Sequence, residues 1–349
     1  MQTAISVERA LPRNFTASVT FSHARTLHLL RARAVNAPLP GTFNPLAPGS
    51  GVRPLGINNF FEYDSTGRFD QNQLIVTLGS RLSRNISFNI NYAFSKSKSD
   101  SDGSGTFAAN PFNFSDEYGR ASNDVRHRFT LVGNFRAPWG ISLNPFLIVS
   151  SGNPFNITIG RDLNGDTLFT ERPAFATDLT KPGVVITKFG ALDPNPTSGE
   201  VIIPRNFGQG PGSLIANLRV SKTFGFGSER RATAQSQGEG KRGGGGGPRG
   251  GFGGGMGARG GGGGGRGGGG FGAGGEAAKR YNLTFSVNFQ NILNHVNLGR
   301  PTGNLSSPQF GLSNSSGGNF GGFGGGGGRG GGGTAAYNRL IEAQIRFSF

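Results

Sequence analysis

Over one stretch after another, every second residue of this chain is apolar, and no other property constrains its fold as much. Near the C-terminus, Ile341, Ala343, Ile345, Phe347 and Phe349 alternate with Glu342, Gln344, Arg346 and Ser348. Tyr281, Leu283, Phe285, Val287 and Phe289 alternate with Asn282, Thr284, Ser286, Asn288 and Gln290. Ile86, Phe88, Ile90, Tyr92 and Phe94 do the same with Ser87, Asn89, Asn91 and Ala93, as do Phe15, Ala17, Val19 and Phe21 with Thr16, Ser18, Thr20 and Ser22. Successive side chains of a β-strand point to opposite faces, so each stretch has one apolar and one polar face. A soluble sandwich would share this period. Here, however, the polar partners are mostly Ser, Thr, Asn and Gln, with few Lys or Glu, which suits a wet lumen.

The spacing of the stretches adds a second constraint. Strands are expected at 2–11, 14–30, 70–82, 86–98, 124–137, 141–151, 214–224, 280–293 and 337–349. The first six form hairpins closed by the short turns Leu11-Pro12-Arg13-Asn14, Ser83-Arg84-Asn85 and Pro138-Trp139-Gly140. Long connections separate the hairpins at 31–69 (with a strand starting near Asn58), 99–123 and 152–213. Short turns on one side and long loops on the other are how outer-membrane barrels are built, with the short turns periplasmic. The fold class is therefore all-β: the C-terminal part of an antiparallel transmembrane β-barrel of about nine strands. Its barrel is expected to be incomplete, since single-chain bacterial barrels have even strand counts. Leu283, Phe285, Val287, Ile341, Ala343 and Ile345 are expected to face lipid, and Asn282, Ser286, Asn288, Glu342, Gln344 and Arg346 the lumen.

Composition agrees. Nowhere does the chain approach the roughly 18 uninterrupted apolar residues of a transmembrane helix. There is no cysteine, so thiolate metal sites and cysteine nucleophiles are excluded. The formal charge of +16 is spread along the chain: residues 227–279 carry eight Lys/Arg against three Glu, a net of +5, leaving +11 elsewhere. Two Gly-rich segments, at about 227–275 and 317–333, cannot bury enough apolar surface to offset their backbone entropy and are expected to be disordered. The organisation read from the sequence is thus 1–226, barrel strands with long extracellular loops; 227–279, a Gly/Arg-rich insertion; and 280–349, the last two strands with the Gly-rich loop at 317–333. The residues after Met1 show no basic region followed by an apolar run, so the chain reads as the tail of a longer protein.

Several motifs strengthen the picture. The terminal Ile345-Arg-Phe347-Ser-Phe349 ends an alternating strand on an aromatic, the form that barrel-assembly machinery reads as its signal. Asn134-Phe-Arg-Ala-Pro-Trp-Gly140, Val149-Ser-Ser-Gly-Asn-Pro-Phe155 and Gly160-Arg-Asp-Leu-Asn-Gly-Asp166 resemble the barrels of TonB-dependent receptors of the Oar-like kind, as in acidobacteria. So do Glu117-Tyr-Gly-Arg-Ala-Ser122, Asp124-Val-Arg-His-Arg-Phe129 and Phe289-Gln-Asn-Ile-Leu-Asn-His295. The resemblance covers nearly everything outside the Gly-rich runs. It implies a 22-stranded transporter with a plugged lumen, coupled to the TonB system through an N-terminal region that these residues do not include. It also implies outer-membrane lipid and lipopolysaccharide as surroundings, and a ligand that the chain does not identify.

Asp162, Asn164 and Asp166 space three oxygen ligands two apart, the opening of a calcium loop. The EF-hand pattern wants Gly after the third ligand and Glu near the loop's end, but here Thr167 and Pro173 stand there. An Asx-rich surface turn is the competing reading. Apart from that calcium, no cofactor is expected. Arg249-Gly-Gly, Arg259-Gly-Gly and Arg266-Gly-Gly raise a rival function, a soluble or surface β-protein binding single-stranded nucleic acid. The repeats are few, widely spaced and poor in aromatics, so the barrel reading is preferred. His23, His28, His127 and His295 form no zinc-hydrolase pattern, and no acid–base pair stands out, so no enzyme activity is expected.

Overall fold

Two tight turns show how the alternating stretches become antiparallel neighbours. Pro12 presets its own φ, after which Arg13 (φ 62°) and Asn14 (φ 57°) turn through the left-handed region and bring Phe15 opposite Leu11. Pro138, Trp139 (φ 64°) and Gly140 (φ 72°) repeat the device and set Ile141 opposite Ala137. The structure, a computed structural model, describes residues 1–47, 49–82, 85–197, 199–229, 279–315 and 338–349. Ser83 and Arg84 of the third short turn, most of the 227–279 segment and the whole 317–333 segment therefore lie outside the described residues, and so does the disorder expected of the Gly-rich runs.

The strands are β1 (Gln2–Leu11), β2 (Phe15–Ala34), β3 (Phe61–Arg81), β4 (Ile86–Ser99), β5 (Gly119–Arg120), β6 (His127–Ala137) and β7 (Ile141–Ser150). They continue with β8 (Pro154–Phe155), β9 (Ala174–Phe175), β10 (Val185–Thr187), β11 (Gly190–Asp193) and β12 (Gly208–Gln209). The last are β13 (Ser213–Glu229), β14 (Lys279–Gln290) and β15 (Leu340–Ser348). Among the described residues there is no α-helix. The main sheet runs β1-β2-β3-β4-β6-β7-β13-β14-β15, with β5 paired to β4. Among the described residues this order does not return on itself, so β1 and β15 each keep one unpaired edge, as an incomplete barrel requires.

Direct cross-strand pairs align the alternation into continuous rows. Val7, Val19, Val76, Tyr92, Phe129, Val149 and Leu214 stand opposite one another from β1 to β13. One residue over, Glu8, Ser18, Thr77, Asn91, Thr130, Ile148 and Ile215 make the row of the other face, which is polar until β7. The apolar row is exposed along much of its length: Val7 68%, Val19 46%, Val149 41%. Large apolar side chains left partly exposed, repeated strand after strand, make a face built for lipid.

β2 has 20 residues and β3 has 21, whereas about 9–11 suffice to cross a membrane. Periodicity places the end of the second strand at residue 30, but β2 runs on to Ala34; β3 begins at Phe61, close to the start expected near Asn58 and ahead of the alternating stretch at 70–82. The break lies at a bulge: register shifts between Thr26 and Leu29 and again before Arg31, with His28 at φ 60°.

Contacts divide the chain into two compact units, Met1–Lys222 with Phe285–Gln344, and Thr223–Thr284 with Ile345–Phe349. The first contains most of the sheet and the folded long connections. The second, in its described part, is held by rings: Tyr281 and Phe347 stack at 6.1 Å and 10°, and Phe226 lies 5.9 Å from Tyr281 and 6.2 Å from Phe347. A hydrogen bond of 2.9 Å joins the Thr223 and Thr284 hydroxyls.

The long connection expected at 152–213 carries structure of its own in its described residues. It forms the small sheets β10-β11-β9 and β12-β8. Phe155, Ile157, Leu192, Ile203 and Leu305 make a buried apolar cluster there, with Phe175, Val185, Phe189, Phe207 and Phe310 packed against it. This core belongs to the long connections and not to the lipid-facing strands.

Candidate functional site

The polar face is wired strand to strand. Ser6 and Thr20 hydroxyls meet at 2.8 Å, Asn91 Nδ2 donates to Thr77 Oγ1 at 3.0 Å, and Gln71 Nε2 donates to Ser95 and Ser97 at 3.2 and 3.1 Å. Ser150 and Ser213 hydroxyls meet at 2.8 Å. Neutral hydroxyls and amides in this arrangement offer donors and acceptors to water or a polar solute without a fixed net charge.

On the long-loop side the polar residues become charged and buried. Asp124, wholly buried, accepts from the Ser97 N–H (2.8 Å), Arg120 Nε (2.9 Å) and Arg126 Nε (2.9 Å). Arg120 Nη1 also donates to Gln209 Oε1 at 2.9 Å, tying the 100–126 connection to β12. Arg172 and Glu117 form a pair with both side chains nearly sealed: Arg172 Nη1 reaches both carboxylate oxygens, at 2.9 and 3.0 Å. The same guanidinium donates to the carbonyls of Asp116 and Ile203. Arg205 Nη2 lies 2.7 Å from Asp102 Oδ2, which Asn206 Nδ2 also reaches at 3.1 Å. Burial raises the Asp102 pKa, but Arg205, the Ser122 N–H and the Asn206 amide together hold it below the ordinary aspartate value. Sequence reading had Glu117, Arg120, Asp124 and Arg126 only as family-like motifs. Their partners lie up to 89 residues away, which no local spacing signals.

The Asp162–Asp166 turn sits in the same folded connection. Asp162 accepts the N–H groups of Asn164, Gly165 and Thr167 at 3.2, 2.6 and 2.9 Å, and Asp166 Oδ1 accepts that of Leu168 at 2.8 Å. Gly165 is obligatory here: its φ is +76°, and a Cβ would come within 2.5 Å of the Phe43 ring. Asn164 faces its neighbours, its Oδ1 accepting the Asp166 N–H (2.9 Å) and its Nδ2 donating to the Ala109 carbonyl (3.1 Å). The residue that joins Asp162 and Asp166 is Glu171, which the sequence reading did not select. One carboxylate oxygen from each of the three lies within 4.8 Å of the others. Burial, with repulsion from Asp166 and Asp162, pushes the Glu171 pKa up to about 7. Burial and Asp162 raise that of Asp166 as well.

The terminal residues show the third feature. Ile345, Phe347 and Phe349 are 67%, 52% and 82% exposed, and the Phe347 and Phe349 rings lie 6.1 Å apart on alternate positions of one face. In β14, Phe285 is 41% exposed and the next residue, Ser286, only 3%. Gln290 Nε2 and Glu342 Oε2, 3.4 Å apart, put both residues on the polar face, as the alternation expects.

An antiparallel sheet with one face of exposed apolar rows, one face of hydroxyls and amides, and tight turns opposite folded loops defines a class: the wall of a membrane β-barrel. The chain belongs to the outer membrane beta barrel domain family, whose model matches residues 1–240. It is a protein of the bacterial outer membrane. In structure it is similar to the outer membrane transporter YddB from Escherichia coli, with a TM-score of 0.42 and 11% identity. That similarity covers 84% of this chain and 28% of the transporter's, so the chain spans under a third of that protein's length. No curated protein sequence matches it.

Proposed function

We propose that the chain is the C-terminal barrel portion of a TonB-dependent outer-membrane receptor or transporter, of the Oar-like kind. Its strands make part of the pore wall, and its long connections meet the ligand at the cell surface. The observation that carries this reading is the pairing of an unclosed sheet with loops that hold their own core and buried ion pairs. A loop side built so firmly suits recognition, because a pre-ordered surface loses little entropy when a ligand binds. The family-like motifs agree, since Glu117, Arg120 and Asp124 supply that network and Gly160–Asp166 the acidic turn.

In this reading the protein works by binding and passage and is not an enzyme. Its surroundings are outer-membrane lipid and lipopolysaccharide against the apolar rows, and the barrel-assembly machinery engages Ile345, Phe347 and Phe349. Energy coupling comes from the TonB system through a region beyond these residues. The rival reading, a soluble nucleic-acid binder acting through Arg-Gly-Gly repeats, is disfavoured by the barrel family and the lipid-type face.

The test is the coding sequence upstream of Met1 together with the behaviour of the chain in a bilayer. We expect an in-frame plug-encoding region, and a larger protein whose uptake stops when the inner membrane is de-energised. A chain that inserts alone, seals without further strands and has no plug upstream would overturn the proposal.

A further inference from the structure

We propose that Asp162, Asp166 and Glu171 form a binding site for calcium that locks three long connections together. Side-chain oxygens of the three converge within 4.8 Å, and all are hard ligands of the kind calcium takes. The independent sign of a missing ligand is Glu171 itself. The residue is 8% exposed, its Oε1 accepts the Leu163 N–H at 2.9 Å, and its Oε2 is sealed from solvent with no hydrogen-bond partner. Buried carboxylate oxygens are normally satisfied, and a cation among the three carboxylates would satisfy this one.

Arg53 is the cation near the turn, and its charge acts on Asp166 without a direct ion pair. None of the three carboxylates has a salt bridge among the described residues. The Arg53 guanidinium reaches the turn, but it donates to the carbonyls of Gly165 and Asn36 and to the Asn59 side chain. An Asx-rich turn explains the backbone bonds to Asp162 and Asp166. It does not explain why a third carboxylate is brought from five residues further on and buried beside them.

The site also has a structural reach. The turn that holds it is bound to the 35–60 connection by Arg53 to Gly165 and by Asn59 Nδ2 to Thr167 Oγ1 (2.8 Å). It is bound to the 100–126 connection by Asn164 to Ala109 and by Thr170 Oγ1 to Ala108 (3.1 Å). An ion at the cluster would stiffen all three, and the ligand-facing surface with them.

The experiment uses the full chain purified in detergent and stripped of lipopolysaccharide, whose phosphates would otherwise bind the same ion. Chymotrypsin cleavage at Phe169, 60% exposed beside the turn, is followed in calcium chloride and in chelator. At calcium about a hundred times its dissociation constant, cleavage through local opening should slow about a hundredfold. Glu171→Gln keeps the shape of the side chain, relieves the repulsion and should abolish the difference while leaving cleavage in chelator no faster; Asp162→Asn serves as a second neutral replacement. A wild-type protein indifferent to calcium, or Glu171→Gln and Asp162→Asn responding as the wild type does, would overturn the site. Equal protection by magnesium at the same concentration would overturn its assignment to calcium.

Discussion

Asp102 illustrates how single residues hold the loop side together. Its carboxylate, mostly covered, keeps its charge because Arg205 and Asn206 are brought to it from 103 and 104 residues further along the chain. A carboxylate whose folded pKa lies below its unfolded value stabilises the fold above the unfolded value, and that contribution is lost as pH falls through the folded one. Protection of the Ser122 N–H, which donates to Asp102 Oδ1, should therefore be constant at neutral pH and fall only once pH drops below the ordinary aspartate value of 3.8. In Arg205→Met, burial is less opposed and the loss should begin at higher pH. Hydrogen exchange across a pH series checks both, and identical profiles for the two proteins would remove Asp102 from the account. Glu171 carries the opposite shift: Asp102 has the Arg205 guanidinium beside it, whereas Glu171 has two other carboxylates and no salt bridge among the described residues.

At the scale of the strand, the alternation has a mechanical consequence. Val19 lies in the lipid-facing row between Val7 and Val76, and its neighbour Ser18 lies in the polar row between Glu8 and Thr77. Val19→Arg should lower assembly into the membrane, since a charge at the midplane costs about 2–4 kcal/mol, and Ser18→Arg should be far better tolerated. Equal assembly of the two variants would mean the faces are misassigned. On the loop side, Arg172→Met should cost more than a surface change, about 3–5 kcal/mol, because it strands Glu117 as a buried charge. Pairing it with Glu117→Gln should recover part of that loss, measurable as resistance to denaturant. These elements were unequally legible. The membrane strands could be read because lipid on one face and water on the other impose a period of two. Beyond His28 that constraint ends, and Arg31, Ala32, Arg33 and Ala34 carry no lipid signature although the strand continues. The short strands β8 to β12 were invisible for a related reason: two to four residues show no period, and their core draws Leu305 from across two strands. The acidic turn was half legible. Asp162 and Asp166 could be read from their spacing, but Glu171 joins them only because the folded connection returns its side chain to them.

For the whole molecule, the unpaired edges of β1 and β15 matter most. Each backbone group left without a partner in hydrocarbon costs several kcal/mol, so two such edges cannot both face lipid at equilibrium. The chain expressed alone is expected to self-associate or aggregate through these edges, and charge or proline substitutions at Val7 should reduce that association in sizing experiments. A monodisperse monomer in bilayers would count against it. The loop core, for its part, sets an order of events. Phe155 and Leu305 are 150 residues apart in sequence, and neither can find the other until the strands between them have paired. Contacts of such separation form late, because loop closure must be met before they give anything back. The folded connections are thus the last part to mature, and their protection from protease reports that assembly of the sheet is finished. A refolding time course should show the strands becoming protected first and Phe169 last.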